Sequence, residues 1–358
     1  MKLTYPVKRG TVKNWADMER LWEFVFSAKG LGRGVRAEDH PILVTEAPLN
    51  PRANRERVAE VFFDTFNVPA LFVSPQATLT LYASGRTTGV VLDSGAGVTH
   101  VVPMYEGYAL PHAMVRVDVA GRDVTERLAR LLRKAGCAMH TTAEMEIVRQ
   151  LKEDCCYVSP HSAGRHVGGR GATHGGSGQG APQRHAPQDR ETRPGCGASK
   201  SARRVYHLPD GRALYLHDEL FKAPEILFRP SLIGSEYCGA HECLVKSVFN
   251  ADMDLRRTLL TQVILAGGTT LFPGYGERLL HEVRRELSSH VASLGTTVAD
   301  VGSLKVRIAA PPNRKLLTWV GGSILASLAT FSTMWVSRSE YEEHGARIFN
   351  AKGAGFTF

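Results

Sequence analysis

The feature that most constrains this chain is the run Thr88-Gly89-Val90-Val91-Leu92-Asp93-Ser94-Gly95-Ala96-Gly97-Val98-Thr99-His100. Residues 89–92 form an apolar stretch of strand length, and residues 98–102 read as its return partner. The chain must therefore reverse within a few residues, and the turn is glycine-rich and carries one acid. Glycine has no Cβ, so backbone N–H groups there can crowd around an anion. Asp93 could then face a metal ion held by the same phosphates. The pattern also fits an ordinary hairpin whose turn requires φ > 0.

A second element of this kind lies far along the chain. Residues 263–266 read as a short buried strand that runs into Gly267-Gly268-Thr269-Thr270-Leu271-Phe272-Pro273-Gly274, then an amphipathic helix to about Leu287. Backbone donors at such a junction can meet phosphate or a nucleoside. Elsewhere strands alternate with helices. Asn14 is a predicted cap for a helix with Met18, Leu21, Trp22 and Val25 on one face. A strand follows at 41–45, then a helix with Asn50 as cap and Pro51 at its first position, striped by Val58, Val61, Phe62 and Phe66. A strand at 70–73 precedes a helix from Pro75 to near Gly85. Beyond the hairpin come a strand at 115–119, a helix capped by Asp123 with Val124, Leu128, Leu131 and Leu132 inward, and a helix at 144–157. This alternation predicts an α/β fold.

Bulk properties narrow the class further. The 358 residues are 43% hydrophobic and 22% charged, normal for a globular protein. The net charge of +9 is concentrated in residues 160–204, where eight Lys and Arg face Asp189 and Glu191. A folded basic face, and hence a specific nucleic-acid partner, is not indicated. That segment holds ten of the 35 glycines, no aromatic residue, and Val167 as its only large aliphatic side chain. It has too little apolar surface to offset its ordering entropy, so it reads as a disordered insertion with salt-sensitive attraction to acidic partners. His161, His166, His174 and His185 within it read as solvated, with metal binding as the lesser alternative. Residues 288–303 read as a further polar insertion. The six cysteines show no CxxC pair, which fits reduced thiols. No apolar leader is visible at residues 1–6. Residues 316–337 are uncharged, but their glycines, serines and threonines favour a buried helix over membrane insertion.

The flanks of the hairpin, Leu81-Tyr82-Ala83-Ser84-Gly85-Arg86-Thr87 and Pro103-Met104-Tyr105-Glu106-Gly107-Tyr108-Ala109-Leu110-Pro111-His112, resemble the actin family. So does Glu46-Ala47-Pro48-Leu49-Asn50-Pro51-Arg52-Ala53-Asn54-Arg55-Glu56-Arg57, and the resemblance covers most of the chain. Within the family, residues 59–72, 223–230 and 335–347 look like the centractin branch, the actin-related component of dynactin. The resemblance implies a two-lobed, actin-like ATPase fold of the sugar kinase and heat-shock ATPase class. Residues 1–83 and 317–358 would form the lower outer lobe, 84–119 and 237–316 the inner lobe, and 120–236 a fourth subdomain carrying the insertion 160–204. It also implies that the family's first phosphate hairpin and nearly all of its second subdomain are absent, leaving a sheet edge unpaired. The tail from Ile348 departs from the family's usual basic ending.

Roles follow from the same resemblance. Gln76 would orient an attacking water, His100 would lie near the γ-phosphate, and Asp93 would act on magnesium indirectly, through its water shell. Ser94, Gly95, Gly97, Lys152, Glu153, Gly267, Gly268, Thr269, Phe272 and Lys315 would contact ATP or ADP with Mg2+. Tyr82, Gly85, Leu328, Phe331 and Met334 match a hydrophobic cleft into which partners insert a helix. One departure stands out: the family has D-S-G-D-G where this chain has Ala96 at the second acid. A methyl group cannot hold a metal-bound water, so cation affinity and turnover should both be weakened. The expected role is a cytoplasmic, cytoskeletal filament subunit that self-associates, joins dynactin subunits and through them dynein, and binds nucleotide mainly structurally. The alternatives are a conventional actin-like ATPase and a nuclear actin-related subunit of a chromatin-remodelling complex.

Overall fold

The computed structural model describes residues 3–32, 34–160, 204–293 and 305–352. The chain opens with a two-stranded hairpin, β1 (Val7–Lys8) and β2 (Thr11–Val12), turned at Arg9 and Gly10. Asn14 caps α1 (Trp15–Val25), its side-chain oxygen accepting the Asp17 N–H at 3.2 Å. The expected apolar stripe is present in α1, yet none of its residues is buried, and Leu21 and Val25 are exposed. Next come β3 (Ile42–Glu46) and α2 (Arg52–Glu60). The cap of α2 is Pro51 and not Asn50, because Pro51 still has extended geometry (ψ 136°). A π turn at Val61–Thr65 then buries Val61, Phe62 and Phe63, and leads to β4 (Ala70–Pro75) and α3 (Gln76–Ala83).

The hairpin predicted at the centre of the chain is β5 (Gly89–Ser94) and β6 (Thr99–Tyr105), antiparallel, with Asp93 opposite His100. Then follow β7 (Tyr108–Ala109), β8 (Val115–Val117), α4 (Gly121–Lys134) and α5 (Thr142–Cys155). Asp123 is not the cap of α4 but its third residue, where its carboxylate reaches back to accept the Ala120 N–H at 2.8 Å. The remaining elements are β9 (Arg204–His207), β10 (Ala213–Leu216), α6 (Glu219–Lys222), α7 (Ala240–Asn250), α8 (Met253–Thr261), β11 (Val263–Ala266) and α9 (Tyr275–Ser293), then β12 (Ile308–Ala309), α10 (Leu317–Ala326), β13 (Val336–Ser337), α11 (Arg338–His344) and α12 (Ile348–Lys352).

Two mixed sheets organise these elements. The first runs β12-β11-β5-β6-β7, with β8 also on β6; β11 is parallel to both β12 and β5. The second runs β13-β4-β3, so among the described residues β3 is an edge strand, parallel to β4. Around the first sheet α4, α5, α7, α8 and α9 build the largest core, which holds a buried ion cluster. Arg278 donates to Glu225 at 3.0 and 3.2 Å and to Glu282 at 2.8 Å, and all three side chains are essentially inaccessible. Burial alone would push the Glu282 carboxyl up, but Arg278 and Arg285 hold it below the usual range.

The uncharged run 316–337 differs from the expected buried helix. It splits into α10 and a short 3-10 segment, Ala329–Thr333, and Trp319 is 76% exposed. No helix among the described residues is long and apolar enough to cross a membrane. Residues 161–203 and 294–304, which carry most of the expected insertions and the four scattered histidines, lie outside the described residues. The five described cysteines are all free.

Candidate functional site

The site is built where the turn after β5 meets the starts of α4 and of the 3-10 segment after β11. The turn closes with the Gly95 N–H donating to the Val98 carbonyl at 3.0 Å. Inside it the Ser94 and Thr99 hydroxyls pair at 2.7 Å, and Thr99 donates to the Val119 carbonyl at 2.8 Å. The Ser94 side chain is therefore committed to the core, and only its backbone faces the turn. The start of α4 abuts the same loop, with Gly121 N–H on the Gly95 carbonyl at 3.1 Å and Arg122 N–H on the Ala96 carbonyl at 2.8 Å.

Parallel pairing of β11 with β5 sets Ala266 beside Asp93, so Gly267 emerges directly against the turn. Gly267 has φ +84°, and a Cβ there would stand 2.3 Å from both Asp93 Oδ1 and the Ser94 carbonyl. Only glycine permits that approach. Thr269 Oγ1 donates to the Gly95 carbonyl at 2.7 Å, and Lys152 Nζ reaches the Gly121 carbonyl at 3.1 Å from α5. A Cβ on Gly121 would stand 2.6 Å from Thr269 Oγ1 and 3.5 Å from Lys152 Nζ. Gly95, Gly121, Lys152, Gly267 and Thr269 thus form one cradle drawn from four separate stretches. Burial lowers the pKa of Lys152, with Glu153 opposing.

The other expected residues separate into groups. Gln76 opens α3 and, with the turn residues Gly95 to Val98, lines one end of a cavity of about 940 Å³. Gly97 packs flat on Arg9, where an added Cβ would lie 3.3 Å from the Arg9 Cα. Phe272 is buried just after the 3-10 segment Gly268–Leu271. Lys315 is exposed, its stem near Gly268: a Cβ there would lie 3.8 Å from Lys315 Cγ. Glu153 points away from the cradle, exposed and paired with Arg149 at 2.6 Å. In the expected partner cleft, Phe331 is core, edge-on to Phe72 at 5.5 Å, with Tyr82 and Met334 packed around it. Leu328 is exposed, and Gly85 ends α3 at φ +67°.

Two contributors escape a reading of the sequence. Gly121 reads there as a simple turn residue, and only its crowding by Thr269 and Lys152 marks it. Arg9 bonds Asp123 at 2.9 and 3.0 Å and also reaches the Asp118 carbonyl, tying the first hairpin to α4. No local signal in Lys8-Arg9-Gly10 could reveal a partner more than a hundred positions away.

Asp93 and His100 face each other at 3.8 Å, both buried, and neither imidazole nitrogen has a hydrogen-bond partner. Burial raises the Asp93 pKa, with His100 opposing; burial lowers that of His100, with Asp93 opposing and Arg116 adding to the fall. Neutral His100 is thus favoured in the folded state. Its contribution to stability is present above the unfolded value of about 6.5 and is lost as pH falls below it. Asp93 has the opposite sign, losing stability as pH rises above about 4 through its raised value. Between pH 7 and pH 5 the urea midpoint of the parent chain is expected to fall more, or rise less, than that of His100→Gln, because the His100 loss is absent from the variant while the Asp93 term remains. Equal slopes in the two proteins would remove His100 as a source.

The cradle suits a polyphosphate. Glycines stand where a Cβ would fill it, a lysine ammonium lies in its wall, and Asp93 sits at its floor. No group of three or more His, Cys, Asp or Glu side chains among the described residues could hold a metal by itself. A cation here would be held chiefly by bound phosphates, with Asp93 contributing.

The family model described as Actin matches residues 1–354. An "Actin-like protein" of Neurospora crassa is 46% identical over 345 residues, spanning 96% of this chain and 80% of the relative.

Proposed function

This chain belongs to the actin family, and from that premise we propose that it is a centractin-like filament subunit of a dynactin-type complex supporting dynein-based transport, and that it binds ATP or ADP with Mg2+ mainly as a structural ligand. The family generally binds adenine nucleotide with a divalent cation. Lys152, Thr269 and the backbone of residues 94–97 and 267–268 would hold the nucleotide, with the stem of Lys315 beside Gly268. The cation, when bound, supplies charge neutralisation at the phosphates.

The observation that carries a mainly structural role is Ala96. It sits on the turn itself, with its carbonyl bonded to Arg122, and offers only a methyl group. Asp93 alone remains to orient cation-bound water. Gln76 would position an attacking water, and neutral His100 would accept or donate one hydrogen bond near it. Phosphoryl transfer depends on positioning and charge stabilisation, so the loss of one acid weakens it. Nucleotide bound to the folded state still stabilises the protein by mass action.

The centractin assignment is supported by the runs at 59–72, 223–230 and 335–347. It places the protein in the cytoplasm and cytoskeleton. The test is affinity purification of the tagged chain from cells: dynactin and dynein subunits are the expected partners. Recovery of chromatin-remodelling ATPases in their place would overturn it.

Gln76 lines the cavity beside the turn Gly95 to Val98, and the buried Asp93–His100 pair flanks the same turn; together they favour a second reading, a conventional actin-like ATPase. Polymerisation coupled to phosphate release would support it. For the first reading, Ala96→Asp is expected to raise Mg2+-dependent phosphate release about tenfold or more. An unchanged rate in a nucleotide assay would show that Ala96 is not the limiting feature.

A further inference from the structure

The 3-10 segment Gly268–Leu271 brings Thr269 to the cradle, yet little within it fixes its shape. It is four residues long, its start carries no side-chain cap, and its turn is closed by Thr270 N–H on the Gly267 carbonyl at 3.2 Å. So short a helix has poor hydrogen-bond geometry and keeps its conformation only when something outside braces it. The brace is Arg314. Its Nε donates to Thr270 Oγ1 at 3.0 Å and its Nη2 to the Thr270 carbonyl at 2.8 Å. Nη1 anchors the other side, on the Pro311 carbonyl at 2.9 Å and the Ala310 carbonyl at 3.4 Å. The Arg314 carbonyl accepts the Gly267 N–H at 3.2 Å, and the Thr270 hydroxyl donates to the Gly267 carbonyl at 2.8 Å. One residue therefore holds both ends of the loop: Gly267, pressed against Asp93 and Ser94, and Thr270, buried next to Thr269.

We propose that Arg314 is a positioning residue for nucleotide, acting through Thr270 and Gly267 to hold residues 267–270 in the shape that receives the ligand. The inference deepens the nucleotide reading and rests on it. Two features set Arg314 apart from an ordinary surface arginine. First, all four side-chain acceptors it meets among the described residues are neutral: three carbonyls and a hydroxyl. Burial pushes the pKa of this half-buried guanidinium down, with Tyr275 opposing. A cation placed there without an acid is unfavourable by itself, so its return lies in the geometry it imposes. Second, a planar fork meets two acceptors of one residue at once, which a lysine ammonium cannot do in the same way.

The test compares the parent chain with Arg314→Met, Arg314→Lys and Arg256→Met. Arg256 is the matched control: it also ties two carbonyls, of Ala251 at 3.1 Å and Phe249 at 2.8 Å, but from α8. Two quantities are read: release of a fluorescent ATP analogue, and amide exchange of residues 268–271 without added nucleotide. Both Arg314 variants are expected to be faster in each by about tenfold or more. Arg256→Met is expected to match the parent in both, whatever its urea midpoint. Arg314→Lys keeps the charge and serves if the methionine variant fails to fold. Parental release and exchange in Arg314→Lys would mean that charge suffices, and would overturn the brace. Equal acceleration in Arg256→Met would also overturn it, as general loosening. A parent chain that binds the analogue, with Arg314 variants that release it unchanged, removes this inference and leaves the nucleotide reading standing. A parent chain that binds no ATP or ADP overturns both.

Discussion

Gly267→Ala is expected to lower affinity for ATP or ADP by about 100-fold or more and to destabilise the fold by about 2–4 kcal/mol. The added methyl would stand 2.3 Å from Asp93 Oδ1 and from the Ser94 carbonyl, and the backbone at φ +84° is itself unfavourable for a residue with a side chain. Neither obstacle can yield cheaply. One is a backbone group of the central strand, and the other is a carboxylate fixed in a buried strand pair opposite His100. The turn would have to retreat from β11, which opens the cradle proposed to hold the nucleotide. The neighbouring substitution, Gly268→Ala, is the control. Its Cβ would meet nothing closer than the Lys315 stem at 3.8 Å, an ordinary contact. Calorimetric titration with nucleotide and urea unfolding of both variants should separate them clearly. Similar losses in the two would mean that the loop tolerates or suffers any substitution, and that the close approach at Gly267 is not the cause.

The second large effect is expected at Arg278. Removing it as Arg278→Met should cost about 3–5 kcal/mol, because Glu225 is left charged in the core without its guanidinium and Glu282 keeps only the surface Arg285. The guanidinium makes four polar contacts there: two to Glu225, one to Glu282 and one to the Ser159 carbonyl at 2.8 Å. It also lies 5.1 Å from the centre of the Phe228 ring. The cost belongs to the stranded charges and not to the loss of packing, so Arg278→Met combined with Glu225→Gln and Glu282→Gln should recover much of it. Exposed Arg149 pairs with two glutamates of its own helix, yet Arg149→Met should change stability by less than about 1 kcal/mol. Chemical denaturation of the four proteins decides the matter. A triple variant as unstable as the single one would place the effect in packing around Phe228.

Much of the fold is legible in the amino-acid sequence, for local reasons. The strands of the central hairpin and of β11 are apolar runs bounded by glycine turns, and their identity needs nothing beyond neighbouring residues. Helix starts are harder to place. Asp123 has the chemistry of a cap, but it acts from the third position because the chain already turns helical at Gly121. The Gly-rich turns are legible as candidate phosphate sites, and both come to the same cradle. Their convergence is not legible from spacing, since parallel pairing of β11 with β5 joins residues over 170 positions apart.

Lys152 and Glu153 show the limit most simply. Adjacent residues on a helix point about 100° apart, so α5 can present only one of them to the cradle. Packing of α5 against α4 chose the lysine and left the glutamate to Arg149 in solvent. Phe331 and Leu328 divide in the same way, one into the core and one onto the surface. The amino-acid sequence by itself determined the family, the α/β class, the two glycine turns and the missing acid at Ala96. These follow from residue identity and short-range conformational preference. The tertiary structure alone decided which side chains meet at the cradle, that Arg9 ties the first hairpin to α4, and that Arg278 joins Glu225 and Glu282 in the core. Those facts depend on strand register and helix packing between segments far apart in the chain, where no local preference reaches.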